Sequence, residues 1–307
     1  VEECVLVVTM HHIASDGWSV PILVRELVEF YNSRIEGKEL SLGELPVQYS
    51  DYSMWQRTYL SGEVLEEKLS YWREQLSGVR PLNMPTDFIR PSVQSMRGKV
   101  QQFRVCRVVS EKLQRLCKEE DVTLFMVLLS GFKILLHRYS GESDICVGSA
   151  VANRNQPEIS SLVGFFNNTI ALRSDLSGNP GYRDFLKQVR RCTLAGYDHQ
   201  EVPFEKVVEA VVKEREMSRS PLYQVMFDLH ISRGEESSLR LNGVDLSQEP
   251  FEQTTSKFDL TLIASENSDE LVFDIEYCSD LYRDDTILRM GGHYNELLKS
   301  IVADPFC

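Results

Sequence analysis

The fold of this chain is decided by the stretch Val5-Leu6-Val7-Val8-Thr9-Met10-His11-His12-Ile13-Ala14-Ser15-Asp16-Gly17-Trp18-Ser19. An apolar, β-branched run leads into two histidines, an acid and a glycine, which is typical of a buried strand that delivers polar side chains to a loop. If the strand continues through the pair, His11 and His12 point to opposite faces, so only one of them faces a given cleft. Gly17 permits a backbone conformation closed to other residues, and Asp16 can accept hydrogen bonds or pair with a cation to hold the turn.

Taken alone, two histidines and an acid in a loop are more often hydrogen-bonded turn residues than catalytic ones.

The length, composition and net charge of the chain narrow the class of protein. A chain of 307 residues with 42% hydrophobic content can bury a large core. Its net charge of -13 argues against nucleic acid or an anionic membrane surface as the main partner, because either would require a basic face.

The cysteines favour unpaired thiols in a reducing cytoplasm over disulfides or a zinc site, since they are odd in number and scattered at positions 4, 106, 117, 146, 192, 278 and 307. No apolar run approaches the ~20 residues that span a bilayer. The chain starts without Met, inside the predicted strand and without a basic leader, so we expect it to be cut from something longer.

Hydrophobic periodicity predicts alternating helices and strands. Tyr49, Tyr52, Trp55 and Tyr59 form one helical stripe that we interpret as core packing. Ser110 is expected to cap the fourth helix. Prolines and an aspartate between 81 and 97 predict an irregular connector between two structural units. The predicted helices lie near residues 20–35, 49–59, 64–76, 110–120, 124–139, 182–197 and 284–302, with a further helix opened by Pro203. The predicted strands lie near 5–8, 99–109, 144–151, 257–262 and 271–277, with a further strand that runs through Leu229.

Five motifs follow one another along the chain. They are His11-His12 to Asp16-Gly17, Tyr49-Ser50-Asp51-Tyr52 with Trp55, Gly164-Phe165-Phe166-Asn167-Asn168-Thr169 with Arg173, His199-Gln200-Glu201-Val202-Pro203-Phe204-Glu205, and Ser218-Arg219-Ser220-Pro221-Leu222. In this order they resemble the motifs of condensation domains from nonribosomal peptide synthetases. The chain departs from the family pattern at Asn167, at Glu201, and at the pair His230-Ile231 where many relatives carry Gln-Asn.

The resemblance implies an α/β fold, an α+β sandwich of the chloramphenicol-acetyltransferase-like type with two related halves in a V. The first half is expected to be incomplete: residues 1–80 would be the C-terminal part of the N-terminal subdomain, 81–97 a connector and 98–307 the C-terminal subdomain. The implied reaction is amide-bond formation between a donor thioester on an upstream peptidyl carrier domain and the amine of an acceptor on a downstream one. An adjacent adenylation domain, a cytoplasmic location and a monomeric module are also implied.

By resemblance, the catalytic candidates are His12, His11, Asp16 and Gly17. Supporting roles in substrate binding or structure are expected for Trp18, Ser19, Asn168, Arg173 and Arg219. Arg173 is a candidate partner of Asp16, although an arginine from an absent upstream segment is an equal candidate. No metal is expected, and the domain binds no cofactor of its own, because the phosphopantetheine arms belong to the carrier domains.

Two roles remain open for His12. A free α-amine has a pKa of about 7.7–8.0, so no strong base is required, and His12 either orients the amine and accepts its proton or chiefly stabilises the tetrahedral intermediate. An epimerisation domain of the same fold is the nearest alternative function, although Trp18-Ser19 after Asp16-Gly17 resembles condensation domains that accept an L-configured donor. A catalytically silent docking module is the alternative from another class.

The early position of the histidine motif leads to one expectation about the chain expressed alone. Without preceding residues to pack against, the segment Val5 to Val8 and the aromatic faces around Tyr52, Trp55 and Trp72 would expose apolar surface. We therefore expect the isolated chain to be inactive, and to aggregate or to be cleaved between Gly78 and Gly98. Limited proteolysis with mass spectrometry and an assay with loaded carriers measure both, and a protease-resistant, active monomer would contradict the expectation.

Overall fold

The computed structural model describes residues 4–40, 42–214, 216–231, 241–244, 249, 253–266 and 270–305. Helices and strands alternate through most of this range, with a short 3-10 turn at Pro157–Ile159. The helices are α1 (Ser19–Glu36), α2 (Tyr49–Tyr59), α3 (Gly62–Gln75), α4 (Arg107–Glu119), α5 (Leu124–Ser140), α6 (Tyr182–Asp198), α7 (Phe204–Val211) and α8 (Asp284–Ala303). The strands are β1 (Gly98–Val105), β2 (Asp144–Val151), β3 (Asn168–Asp175), β4 (Val225–Ile231), β5 (Leu260–Glu266) and β6 (Leu271–Cys278).

The chain folds into two compact units, each made of several segments. The first contains Val1–Glu66, Val151–Asn168 and Arg233–Glu252, and the second contains Glu67–Ala150, Thr169–Ser232 and Gln253–Cys307. These units do not test the subdomain boundary expected between residues 81 and 97, which stays a prediction. Residues 81–96 contain neither helix nor strand, as their prolines indicate.

The second unit is built on a mixed sheet with the strand order β1-β6-β5-β4-β2-β3. β6 is antiparallel to both β1 and β5, whereas β4 is parallel to β5 and to β2. Helix α5 packs against α4, α6, α8 and strand β4. Its side chains are apolar on nearly every face, and most of them are buried, which fits a helix surrounded by other elements.

Most predicted elements are confirmed within a few residues. Helix α1 ends at Gly37, which adopts a left-handed conformation (φ 66°), and Thr123 caps α5 by accepting a hydrogen bond from the Met126 amide. The aromatic stripe on α2 packs as expected, since the Tyr52 ring lies 5.7 Å from Trp55, and Trp55 stacks on Tyr59 at 5.1 Å. Strand β2 is an inner strand, as its apolar composition predicted.

The predicted strand at residues 5–8 is wrong for this structure. Val5, Leu6, Val7 and Val8 form no ladder with any described segment, and their exposed fractions are between 65% and 78%. A β-branched run adopts a strand only where a neighbouring strand satisfies its backbone hydrogen bonds. Composition alone therefore overestimated the order of this segment.

Two further expectations are corrected by local packing. Ser110 is not a helix cap, because α4 already begins at Arg107 and the Ser110 hydroxyl donates to the Cys106 carbonyl at 3.4 Å. Tyr52 and Trp72 are buried, with exposed fractions of 8% and 2%, so their rings do not expose the apolar surface that was expected. Trp55 is the one of the three aromatic residues that is exposed, at 39%.

No single helix among the described residues is long and apolar enough to cross a membrane, and α4 and α5 meet the length and composition only as a pair bent by 108°.

A lysine lies fully buried in helix α5. The Lys133 ammonium donates one hydrogen bond, to the Ser174 hydroxyl at 2.7 Å, and no described carboxylate lies within ion-pair distance of it. Burial lowers the pKa of Lys133 from its ordinary value. In the unfolded chain, the lysine ammonium keeps its proton up to about pH 10.4. Burial of the charged Lys133 therefore lowers the free energy of unfolding, and this loss becomes smaller as the pH rises towards that value.

We expect Lys133→Met to raise the free energy of unfolding by about 1 kcal/mol or more near neutral pH, because it removes the buried charge and keeps a side chain of similar length. The gain should shrink as the pH approaches about 10. Thermal unfolding followed by circular dichroism at several pH values measures this. Lys206→Met, at an exposed lysine of α7, is the matched control and should change little. A destabilised Lys133→Met protein would contradict the argument.

Candidate active site

The two histidines lie in a tight turn that leads directly into helix α1. The Ala14 amide donates to the His11 carbonyl at 2.9 Å, and the Ser15 amide to the His12 carbonyl at 3.4 Å. Ser15, Asp16 and Ser19 are buried, whereas both histidines are exposed. The turn therefore fixes its acidic end inside the first unit and presents its histidine end to solvent.

His12 is held by two contacts. Its Nδ1 lies 2.8 Å from the Ser15 carbonyl oxygen, and its ring meets the Phe165 ring edge to face, with centroids 5.1 Å apart. Because a carbonyl oxygen only accepts, Nδ1 carries the hydrogen of this bond. In the neutral imidazole, Nε2 therefore holds a lone pair, and no described residue bonds to it.

His11 serves the turn itself. Its Nδ1 accepts a hydrogen bond from the Ile13 amide at 3.1 Å, which is the opposite role from that of Nδ1 in His12. The two neighbouring histidines thus differ in which ring nitrogen carries the proton when both are neutral. Of the pair, His12 presents Nε2 as a hydrogen-bond acceptor.

Asp16 is the centre of the buried part of the loop. Its Oδ1 accepts hydrogen bonds from the Ser19 amide at 2.9 Å, the Ser19 hydroxyl at 2.7 Å and Arg154 Nη2 at 3.1 Å. Its Oδ2 accepts from the Phe166 amide at 3.0 Å. The carboxylate also lies at the first turn of α1, where its negative charge is favourable.

Arg154 is the cation that pairs with Asp16, and both side chains are at most 1% exposed. Its Nη1 donates to the carbonyls of Ile159 at 2.8 Å and Leu162 at 2.7 Å. The guanidinium lies over the Phe166 ring at 4.0 Å from its centroid. Sequence reasoning missed this residue, since its only signal is a basic side chain in a polar loop after the inner strand β2.

The pKa of Asp16 results from opposing effects. Burial on its own raises it, but hydrogen bonds from Ser19 and Phe166, together with the charge of Arg154, outweigh burial, and the pKa lies below its ordinary value. Burial and the nearby Asp16 charge raise the pKa of Tyr49. Asp16 is therefore a carboxylate at every pH near neutrality, and no described contact joins it to the His12 ring.

Trp18 and Ser19 fix the loop to the segment around residue 160. The Trp18 Nε1 donates to the Ser160 carbonyl at 3.0 Å. The Ser19 hydroxyl, which donates to Asp16, accepts from the Gly164 amide at 3.1 Å. Both side chains therefore hold the loop to this segment.

Gly17 does not adopt the backbone conformation closed to other residues that the sequence suggested. Gly17 has no left-handed backbone conformation, and a Cβ atom built on it would meet no described atom within 4 Å. Its backbone therefore accepts other residues without strain. What its position leaves open is space beside the loop.

Arg173 does not pair with Asp16. Its guanidinium makes a two-point ion pair with Asp144, with Nε to Oδ1 at 2.7 Å and Nη2 to Oδ2 at 2.9 Å. Arg219 likewise has its own partner, because Nη1 donates to Asn83 Oδ1 at 2.8 Å. Both arginines belong to the second unit, whereas Asn168, the first residue of β3, belongs to the first. The motif spacing gave no information about which acid each arginine meets.

His199 is held by contacts within the second unit. Its ring stacks on Tyr71 at 4.0 Å, and its Nδ1 donates to the Ala195 carbonyl at 2.8 Å. No group of three or more His, Cys, Asp or Glu side chains among the described residues has the geometry to hold a metal ion.

We expect Asp16→Ala to lower the free energy of unfolding by about 3–5 kcal/mol, because it leaves the Arg154 charge buried without its partner. The double variant Asp16→Ala/Arg154→Met should recover part of this loss, since it removes the unpaired charge as well. In the wild type, the contribution of Asp16 is present above about pH 3.9 and is lost as the pH falls through its lower folded pKa.

Chemical denaturation of the three proteins measures these differences. Asp144→Ala is the matched control, because the partly exposed Asp144 pairs with Arg173 and should cost at most about 1 kcal/mol. An Asp16→Ala protein as stable as the Asp144→Ala protein would show that the buried pair contributes nothing.

Comparison with known proteins places this loop in a family. The family model described as "Condensation domain" matches residues 1–306. A linear gramicidin synthase of Brevibacillus parabrevis is 44% identical over 305 residues, covering 98% of this chain and 6% of that protein. Malpinin synthetase of Mortierella alpina is 42% identical over 304 residues, covering 99% of this chain and 4% of that protein. The chain thus spans only a small part of the curated relatives it matches.

Solved structures agree on the fold. A four-domain nonribosomal peptide synthetase bound to AMP and glycine superposes with a TM-score of 0.87 at 29% identity, covering 97% of this chain and 23% of that one. The X-domain in a complex with OxyB from teicoplanin biosynthesis gives a TM-score of 0.87 at 24% identity, covering 96% and 66%. The mixed α/β fold is therefore the chloramphenicol-acetyltransferase-like fold, and the chain belongs to the condensation domain family of nonribosomal peptide synthetases.

Proposed function

We propose that this chain catalyses amide-bond formation in a nonribosomal peptide synthetase, joining the acyl group of a carrier-bound thioester to the amine of a second carrier-bound substrate. The observation that supports this most is the state of His12. It is an exposed imidazole whose Nδ1 hydrogen is used by the Ser15 carbonyl, so Nε2 is left as an acceptor. The exposed His12 side chain that carries Nε2 lies on a loop anchored by the buried ion pair of Asp16 and Arg154.

The tautomer supports proton acceptance from the amine as the role proposed for His12. An Nε2 lone pair can accept a hydrogen bond from an amine, but it cannot donate to an oxyanion until it has gained a proton. In the first step, the amine nitrogen forms a bond to the thioester carbonyl carbon, and Nε2 orients the amine and accepts its proton. The C–S bond then breaks, and the protonated His12 returns the proton to the leaving thiolate.

The partners follow from this reaction. We propose that an upstream and a downstream peptidyl carrier domain present donor and acceptor on their phosphopantetheine arms, that an adenylation domain is adjacent, and that the reaction takes place in the cytoplasm. The space beside Gly17 is available to a substrate arm, because no described side chain fills it. We also retain residues 81–97 as the proposed connector between the subdomains 1–80 and 98–307.

Two alternatives have distinct assays. The X-domain that shares this fold is in a complex with OxyB, which makes a docking function for this chain the second candidate. A docking module would bind a partner protein without forming an amide. An epimerisation domain would exchange the α-proton of a carrier-bound residue with solvent deuterium, whereas amide formation leaves that proton in place.

We expect His12→Ala to lower the rate of amide formation by about 10²-fold or more without changing the melting temperature, because the ring is exposed and only its proton transfer and orientation are lost. Single-turnover assays with loaded donor and acceptor carrier domains measure the rate. His293→Ala is the matched control: His293 is also exposed, and its Nδ1 likewise makes one hydrogen bond, with the Tyr139 hydroxyl. Turnover equal to wild type in His12→Ala would refute the proposed function.

A further inference from the structure

Phe165 and Phe166 are adjacent in the chain but have opposite surroundings. Phe166 is 3% exposed, and its ring packs beneath the Arg154 guanidinium at 4.0 Å. Phe165 is 40% exposed, and its ring meets the His12 ring at 5.1 Å with an interplanar angle of 77°. The two rings therefore lie in different environments, and it is the partly exposed Phe165 ring that contacts His12.

The backbone that carries Phe165 is held on both sides. The Ser19 hydroxyl contacts the Gly164 amide at 3.1 Å, and Asp16 Oδ2 accepts from the Phe166 amide at 3.0 Å. The Tyr49 hydroxyl donates to the Phe165 carbonyl at 2.8 Å. The Tyr49 ring occupies the space of a Cβ atom at Gly164, where it would lie only 2.3 Å away, so this close packing requires glycine. Phe165 is therefore presented from a rigid segment.

His12 needs a second contact to be rigid. Its hydrogen bond to the Ser15 carbonyl restrains the side-chain torsions through Nδ1, but one such bond contributes only about 0.5–1.5 kcal/mol and leaves other ring orientations accessible. An aromatic pair in edge-to-face geometry contributes about 0.5–1.5 kcal/mol, which is enough to favour one ring orientation over its alternatives. Rotation of the ring would move Nε2, and misplacement of a catalytic atom by about 1 Å costs up to 10²-fold in rate.

We propose that Phe165 is a positioning residue for His12: its ring holds the imidazole in the orientation that directs Nε2 at the amine of the acceptor substrate. Asp16 and Arg154 act on His12 through this route, because they clamp the segment from Gly164 to Phe166 and do not touch the imidazole. Tyr49 completes the clamp from helix α2. The kinetic part of this inference rests on the proposed function, and the structural part does not.

The structural part is tested by nitrogen-detected NMR of the histidine rings. The chain has six histidines, and the His12 signals are those absent from His12→Gln. In the wild type, we expect neutral His12 to show a single tautomer, with Nδ1 protonated. In Phe165→Leu, which keeps an apolar side chain but removes the flat ring, the two nitrogen signals should move towards each other as tautomers and orientations mix.

The kinetic part compares the same variants in single-turnover assays with loaded carrier domains. Phe165→Leu should lower kcat about tenfold and leave the KM for each carrier unchanged, whereas Phe165→Tyr keeps the ring and should match the wild type in both experiments. Phe88→Leu is the matched control, since Phe88 is exposed to a similar extent, at 42%, and lies in the other unit. Melting temperatures of all variants show that each is folded.

The proposal is overturned if Phe165→Leu keeps either the wild-type tautomer signature or the wild-type kcat, or if Phe165→Tyr fails to restore both. If the wild type is inactive but Phe165→Leu still changes the His12 tautomer signals, the proposed function is wrong and the positioning contact is supported. If the wild type is active but Phe165→Leu leaves the His12 tautomer signals unchanged, the positioning contact is wrong and the proposed function is supported. The two failures are therefore distinguishable.

Discussion

The buried ion pair between Asp16 and Arg154 is the interaction on which the first unit depends. A pair with both side chains at most 1% exposed carries a large desolvation cost, which additional hydrogen bonds must offset. Asp16 accepts four bonds with its two oxygens, and Arg154 donates to two backbone carbonyls and lies over an aromatic face. The geometry of the surrounding loops follows from that requirement.

The pair connects parts of the chain that are far apart in sequence. The histidine turn and α1 contribute Asp16 and Ser19, and the segment between β2 and β3 contributes Arg154, Gly164 and Phe166. Asp16 follows Ser15, whose carbonyl oxygen contacts His12 Nδ1, so the ion pair and the imidazole lie within one turn of each other. The buried anchor and the exposed imidazole are thus separate side chains on one short loop.

The two units are stabilised in different ways. The second unit is a mixed sheet packed against helices, and its arginines pair with acids of the same unit, as Arg173 does with Asp144. The first unit has few buried side chains outside the loop and the cluster of Tyr52, Ile159, Leu162 and Phe166. The hydrogen bonds around Asp16 and Arg154 therefore contribute much of the order of this unit, because buried polar groups are stable only in arrangements that pair them.

Much of this protein was determined by the sequence itself. The bounds of α1, α5 and α8, the inner position of β2 and the exposed histidine turn all follow from spacing, caps and composition, since helices and turns are closed by hydrogen bonds between residues three or four apart. Only the tertiary structure decided that Arg154 rather than Arg173 meets Asp16, that residues 5–8 remain unpaired, that Gly17 needs no special conformation and that Phe165 touches His12. The reason is physical: Asp16 and its partner are 138 residues apart, and a buried charge acquires its partner only when long-range packing brings the two together.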